Sequence, residues 1–305
     1  MIPGSPRTLL RSPAVKLRLL LTAVLLASCA HAPAPGGEAA GPAGDPARAS
    51  PAPAGLQPEV DRATRLGRAI FAQDEVSARG ADVLVAKVPA ERRVAVRGWL
   101  TIEGPWWKVA IVVGEPGTER IAFEASLPRD EPPETSVPSF QAFDPPRPLD
   151  ADEKTQWRAR RTAIRNAVGC GWPMNPVVLP ASLEGRDGWL VYLLSATTKP
   201  GETVVGGHMK LWISPGGDRV LQSSRLSQCL LQPPPLPGAQ PVGLFLVTPQ
   251  YDVPNEGHVF TAMTNGQPLS VGAWKTVRGR MWLVAPDGTI TREPDVRTPP
   301  GAAAR

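Results

Sequence analysis

Between residues 93 and 284 the apolar residues fall into short runs, most of them closed within a few positions by Gly, Pro, Asn or Asp. Chains punctuated this way build most of such a span from short paired strands. The runs 93–102, 107–113 and 120–127 are rich in Val, Ile, Trp and Phe. They are separated by Glu103-Gly104-Pro105 and Glu115-Pro116-Gly117-Thr118, and so predict an antiparallel meander. Further strand-like runs lie at 177–179, 189–195, 204–214, 219–222, 242–247, 258–263, 269–271 and 280–284. Two of them echo each other, 211–218 and 281–288, each a Trp-bearing strand followed by a Pro-Gly or Asp-Gly turn, which turn chemistry alone explains.

Helical spacing occurs in few places. Val60, Ala63, Leu66, Ala69 and Ile70 recur at three- and four-residue intervals after Pro58, and Asp74 is placed to cap a second helix carrying Val76, Val83 and Leu84. Asp150-Ala-Asp-Glu153 is a capping-box pattern that opens a helix to about Val168, with Trp157, Ile164 and Val168 on one face. The expected fold is therefore α+β: a mostly antiparallel sheet with two N-terminal helices and one central amphipathic helix. Residues 128–148 contain seven prolines and few apolar residues besides Phe140 and Phe143. They read as a long loop on the functional face.

The 37 prolines and 29 glycines cluster at both ends, which limits the folded part to one domain at 58–292. Residues 1–28 form a basic stretch and then the short apolar run 19–27, the layout of an export signal. The run is too short to stay in a bilayer as a helix, which takes about 20 apolar residues. Leu26-Ala27-Ser28-Cys29 resembles the lipobox of bacterial lipoproteins. That resemblance implies acylation, palmitate included, of Cys29 as the first mature residue, and, with Ala30 following, the periplasmic face of an outer membrane. Residues 29–57 are Ala, Pro and Gly with almost nothing to bury, and form a tether, as Pro-rich linkers do. Residues 293–305 return to the same composition.

The net charge of +5 is largely a property of the leader. Without Arg7, Arg11, Lys16 and Arg18, 29 basic residues face 28 acidic ones. A balance this close to neutral gives no global field for nucleic acid, so no nucleic-acid partner is expected. The expected partners are the membrane, through the lipid on Cys29, and an envelope protein, peptide or glycan.

Chemistry-bearing residues are sparse. Cys170 and Cys229 are an even pair in an oxidising compartment and predict a disulfide. The alternative makes Cys170 a nucleophile served by His208 or His258 with Asn265 orienting the imidazole, an envelope hydrolase. Against it, Cys170 follows a helix C-terminus, where the dipole disfavours a thiolate. A carboxylate pair is the other hydrolytic option, since such pairs leave no local motif. Neither a metal site nor a cofactor is expected: His31 lies in the tether, and two further histidines without clustered ligands do not hold zinc. Lys154, Arg158, Arg161 and Arg165 form a stripe at helical spacing, a candidate anion-binding face. Trp106 and Trp107 are adjacent in a strand, so they face opposite sides. With Phe140 and Phe143 they make a candidate binding face. The stretch 188–220, with VYLLSATTKPGETVVGGHMKLWISPGGDRV, is similar to uncharacterised proteobacterial envelope proteins, a resemblance that carries no activity. Together these features lead us to expect a non-catalytic binding or accessory domain.

Overall fold

The computed structural model describes residues 50–129, 136–196, 199, 202–234, 243–273, 275 and 280–293. Cys29, the leader, most of the tether and the tail lie outside them. The fold is α+β, as expected, and its strands pair mostly antiparallel. They form three four-stranded sheets and a two-stranded ribbon rather than one sheet.

The chain opens with α1 (Gln57–Lys87), a single 31-residue helix in place of the two expected. The break anticipated at Asp74 does not occur, because neither Gly nor Pro interrupts the backbone there. Gln73, Val76 and Ser77 instead continue the buried stripe. At 1.5 Å per residue α1 is about 46 Å long, enough to serve all three sheets in turn. Its first turns bury Val60 and Ala63 against the third sheet, Leu66 and Ile70 meet the second, and Val76 and Leu84 meet the first. One helical turn, α2 (Ala90–Arg93), leads into the strands.

The first sheet is the predicted meander: β1 (Val96–Ile102), β2 (Trp106–Val113), β3 (Arg120–Pro128) and β4 (Ser139–Pro148), in that order. Here the loop expected at 128–148 is corrected: Ser139–Pro148 is an edge strand paired with β3, and residues 130–135 lie outside the described set. Prolines survive there because an edge strand has one set of N–H groups with no ladder partner, and because the β3–β4 register is interrupted between Ile121 and Phe123. Both faces of this sheet are covered. Trp107, Val109 and Ile111 face α1, while Ala110 and Val112 face Trp157 of α3 (Ala151–Arg165). The Asp150 capping box is present as read.

The second sheet runs β5 (Met174–Pro180), β6 (Trp189–Ser195), β8 (Met209–Ile213), β9 (Val220–Arg225). It is buried between α1 on one face and α3 on the other, through Tyr192 and Leu194 on one side and Val191, Leu193 and Leu211 on the other. Burial on both faces accounts for its near-continuous apolar runs. The strand expected at 204–214 is divided by Gly206-Gly207 into β8 and a short β7 (Thr203–Val204), which pairs with β10 (Leu231–Gln232).

The third sheet, β11 (Leu244–Thr248), β12 (Leu269–Ala273), β13 (Arg280–Val284) and β14 (Ile290–Arg292), has one parallel pair, β11 with β12. Its crossover is α4 (Glu256–Asn265). Residues 258–263, expected as a strand, are helical because Asn255 caps the Gly257 and His258 N–H groups and Gly266 closes the helix in the left-handed region. Where α4 crosses α1, Gly67 lets the helices touch: a Cβ there would collide with Val259.

The two echoing segments occupy equivalent places. Each forms the next-to-last strand of its sheet and the following hairpin, with Gly217 and Gly288 bonded back to Ser214 O and Ala285 O. Sheets one and two abut along their edge strands β1 and β5. Gln73 Nε2 of α1 donates to Thr101 O and to Val178 O, and Gln156 Nε2 of α3 donates to the same Thr101 O.

Candidate functional site

One cavity, about 710 Å³, lies where the first turns of α1, the second sheet and the start of α4 converge. Arg62 and Arg65 come from one face of α1. Glu184 ends the 3-10 turn Ala181–Glu184, after which Gly185 in the left-handed region turns the chain so that Arg186 joins the rim. Alternation along β8 sends Leu211 and Ile213 into the α3 core and Lys210 and Trp212 to the opposite face. Glu256 is the first residue of α4, where the helix dipole favours a carboxylate. Tyr192 sits directly across from Lys210 in the β6–β8 register.

These groups form a closed network. Lys210 Nζ donates to Glu184 Oε1 at 2.6 Å and to Glu256 Oε1 at 3.0 Å. The Tyr192 hydroxyl donates to Glu256 Oε1 at 3.1 Å, and Arg62 pairs with Glu184. Burial pushes the Glu184 carboxyl up, but Lys210 and Arg62 outweigh it and hold the group below the usual carboxylate range. Burial likewise works to lower Arg62, and Glu256 and Glu184 raise it instead. Tyr192 is driven well above its ordinary value by burial and by the two carboxylates. The floor is thus two cations balanced by two carboxylates.

The rim is not balanced. Arg65 donates to Leu183 O at 3.1 Å, and Arg186 donates to Gln222 Oε1 at 3.3 Å while lying over the Trp212 ring at 4.8 Å. Neither has a carboxylate partner among the described residues. The cleft therefore carries an excess of two guanidinium charges above a neutral floor. Such an arrangement recognises anions. Glu184 is held ionised, and shares the Lys210 ammonium with Glu256.

Cys170 and Cys229 are joined in a disulfide with Cα atoms 5.7 Å apart. A bonded Cys170 offers no thiolate. The histidines proposed to serve it are buried, with each Nδ1 taken by a backbone N–H, and the His258 Nε2 has no partner among the described residues. Ser195 N–H donates to His208 Nδ1 at 3.0 Å, and His208 Nε2 lies 3.2 Å from the Thr261 hydroxyl, which itself donates to Gly257 O. Asn255 N–H donates to His258 Nδ1 at 3.0 Å. Asn265 donates to Thr261 O rather than to an imidazole. Among the described residues no group of three or more His, Cys, Asp or Glu side chains is placed to hold a metal ion.

The basic stripe is divided between two neighbours. Arg158 donates to Gly216 O in the β8–β9 turn, and Arg161 pairs with Glu119 beside the Trp157 indole N–H. Arg165 donates to Thr162, and Lys154 is exposed. Of the apolar face read for this helix, Trp157 is buried but Ile164 and Val168 are exposed. The aromatic face is also dispersed, which corrects the expectation of one binding surface. Phe140 stacks on Phe123 at 5.9 Å and packs in the core with Trp107, whereas Phe143 packs on the opposite face with Arg147 over its ring. Trp106 alone is exposed, at 53%. The network residues Arg62, Glu184, Lys210 and Glu256 formed no motif in the sequence.

No family model, no curated protein and no solved structure matches the chain. Among the described residues no helix is long and apolar enough to cross a membrane.

Proposed function

We propose that this protein is an envelope lipoprotein, anchored through Cys29, whose domain binds an anionic envelope polymer without acting on it. The observation that carries the reading is the pair of rim guanidiniums, Arg65 and Arg186, over a floor whose charges are already matched. Cations left over at a cleft select ligands by charge, and their contribution is screened by salt. The Leu-Ala-Ser-Cys resemblance supports the address, and the tether composition supports a domain held away from the bilayer.

Cosedimentation with lipopolysaccharide and with peptidoglycan sacculi tests the binding. One of the two should retain wild-type protein at low salt and release it at high salt, and Arg65→Gln, Arg186→Gln should lose retention while melting like the wild type. Equal retention of that variant, or none of the wild type, overturns the reading. Cys29→Ser should leave the protein unacylated and outside the membrane fraction, and membrane retention of that variant overturns the anchoring.

A further inference from the structure

A second cavity, about 480 Å³, opens at the seam between sheets one and two, with a lining distinct from that of the charged cleft. Its volume suits a small ligand. β1 supplies Gly98 and Trp99, β5 supplies Met174 and Pro176, α3 supplies Arg160 and Ile164, and the segment after α3 supplies Trp172. At one end of this seam, Gln73 and Gln156 close the gap between the edge strands by donating to Thr101 O and Val178 O. Three residues back along β1 and two along β5, at Gly98 and Pro176, no described glutamine bridges the strands and Arg160 lies against the gap. The cavity is that unfilled end.

Arg160 decides what belongs there. The residue is 6% exposed, and among the described residues it makes no hydrogen bond and no ion pair; its Nε is buried with no partner. Its guanidinium lies over two indoles, Trp99 at 5.0 Å and Trp157 at 5.2 Å. Ring faces stabilise a cation without using any of its N–H donors. Burial, the only cause acting on it, lowers this group to about 10, so it stays charged at neutral pH. A buried charge with unused donors is costly to leave uncompensated. The backbone makes room for the guanidinium against β1: Gly98 sits at a β1 bulge with φ +150°, and a Cβ there would lie 2.7 Å from Nη1. The apolar wall is pinned, since the Cys170–Cys229 disulfide anchors the segment that carries Trp172. At the mouth, Ile164 is 44% exposed, so the apolar lining reaches the surface.

We propose that this seam binds an acyl carboxylate, with the carboxylate held by the Arg160 guanidinium and the chain lying along Trp99, Trp172 and Met174 toward Ile164. The guanidinium fork matches a carboxylate through two parallel N–H donors. The wall offers a flexible aliphatic chain continuous apolar contact. The site is separate from the charged cleft, and the inference stands without the proposed function.

Binding to the purified full chain is measured by calorimetry and thermal shift with decanoate, decanol, acetate and phenylacetate. Decanoate should bind saturably and raise the Tm. Decanol, which lacks the charge, and acetate, which lacks the chain, should each bind about tenfold more weakly or worse. Arg160→Met should bring decanoate down to the level of decanol and leave decanol unchanged, a pattern that a purely structural plank between two indoles would not produce. Should that variant not fold, Ile164→Glu at the exposed mouth puts a charge where the chain lies and should weaken decanoate and decanol alike. Equal affinity for decanoate and decanol in the wild type, or decanoate affinity unchanged in the folded variants, overturns the site. Tighter binding of phenylacetate than of decanoate overturns the acyl assignment.

Discussion

Lowering the pH from about 7.5 to about 5 should destabilise this fold through two buried imidazoles. His208 and His258 are each 1% exposed. Both accept a backbone N–H at Nδ1, so both are neutral with the proton on Nε2. Burial holds His208 down at about 4, and burial together with His208 holds His258 at about 3. In the unfolded chain each titrates near 6.5. The unfolded state therefore binds more protons between about 6.5 and the folded values, and stability falls as the pH drops through that window. At about pH 5 the imbalance is worth about 2 kcal/mol for each histidine. Glu119, Glu153 and Glu184, held below their ordinary range, lose their contribution only at lower pH. Asp74, a partly exposed residue whose carboxyl is withdrawn from water, is pushed up to about 7 by burial and by Glu75, and works in the opposite sense across the same window. The total curve is flattened by it, so the histidine effect is read as a difference. Urea unfolding of wild type, His208→Gln and His258→Gln at both pH values should show each variant's deficit shrinking by about 2 kcal/mol at the lower pH. A deficit that stays flat between the two pH values refutes the assignment of neutral, buried imidazoles.

Three other substitutions probe the framework. Replacing Cys170 and Cys229 together by Ser reopens a 59-residue separation and should cost about 4 kcal/mol in the chain-entropy model, read from urea midpoints. Lys210→Met leaves Glu184 and Glu256 buried without their shared cation and should cost about 3–5 kcal/mol at neutral pH, with recovery as the carboxylates protonate in acid. Trp107→Ala should cost about 3–5 kcal/mol and Trp106→Ala within about 0.5 kcal/mol, since only the former fills the core beneath α1; similar losses in thermal melts contradict the assignment of faces.

The helix at Asp150 was legible because its start signal is local, a capping box; of the apolar face read after it only Trp157 is buried, and the helix ends at Arg165. The β1–β3 meander was legible for the same reason, with Gly and Pro turns at each corner. Three readings failed where tertiary context outweighs local pattern. Asp74 is a good cap residue, yet α1 passes through it because Val76 and Leu84 find the first sheet only if the helix continues. Residues 139–148 are too rich in proline to read as a strand, and pair only because they occupy an edge. The short apolar run after His258 carries no period long enough to separate helix from strand, and the deciding residue, Asn255, stands before it.

The charged cleft was hidden for a different reason. Arg62, Glu184, Lys210 and Glu256 come from α1, a 3-10 turn, β8 and α4, so no spacing relates them. The nearest hint is Lys210, a charge inside an apolar strand, whose alternation with Leu211 commits it to a face that Tyr192 also shares. Arg160 has a clearer signature, outside the stripe. Arg158, Arg161 and Arg165 sit at intervals of three and four and read as a candidate anion-binding stripe. Arg160 is out of phase with them and in phase with Trp157 and Ala163, three residues on either side, both of which are buried. A cation on the apolar phase of a helix must either reach past the core to water or meet something buried. Here it reaches two indoles and an unfilled seam. The informative charge in such a helix is the one that breaks the stripe, because its position is set by the inside of the protein rather than by solvent.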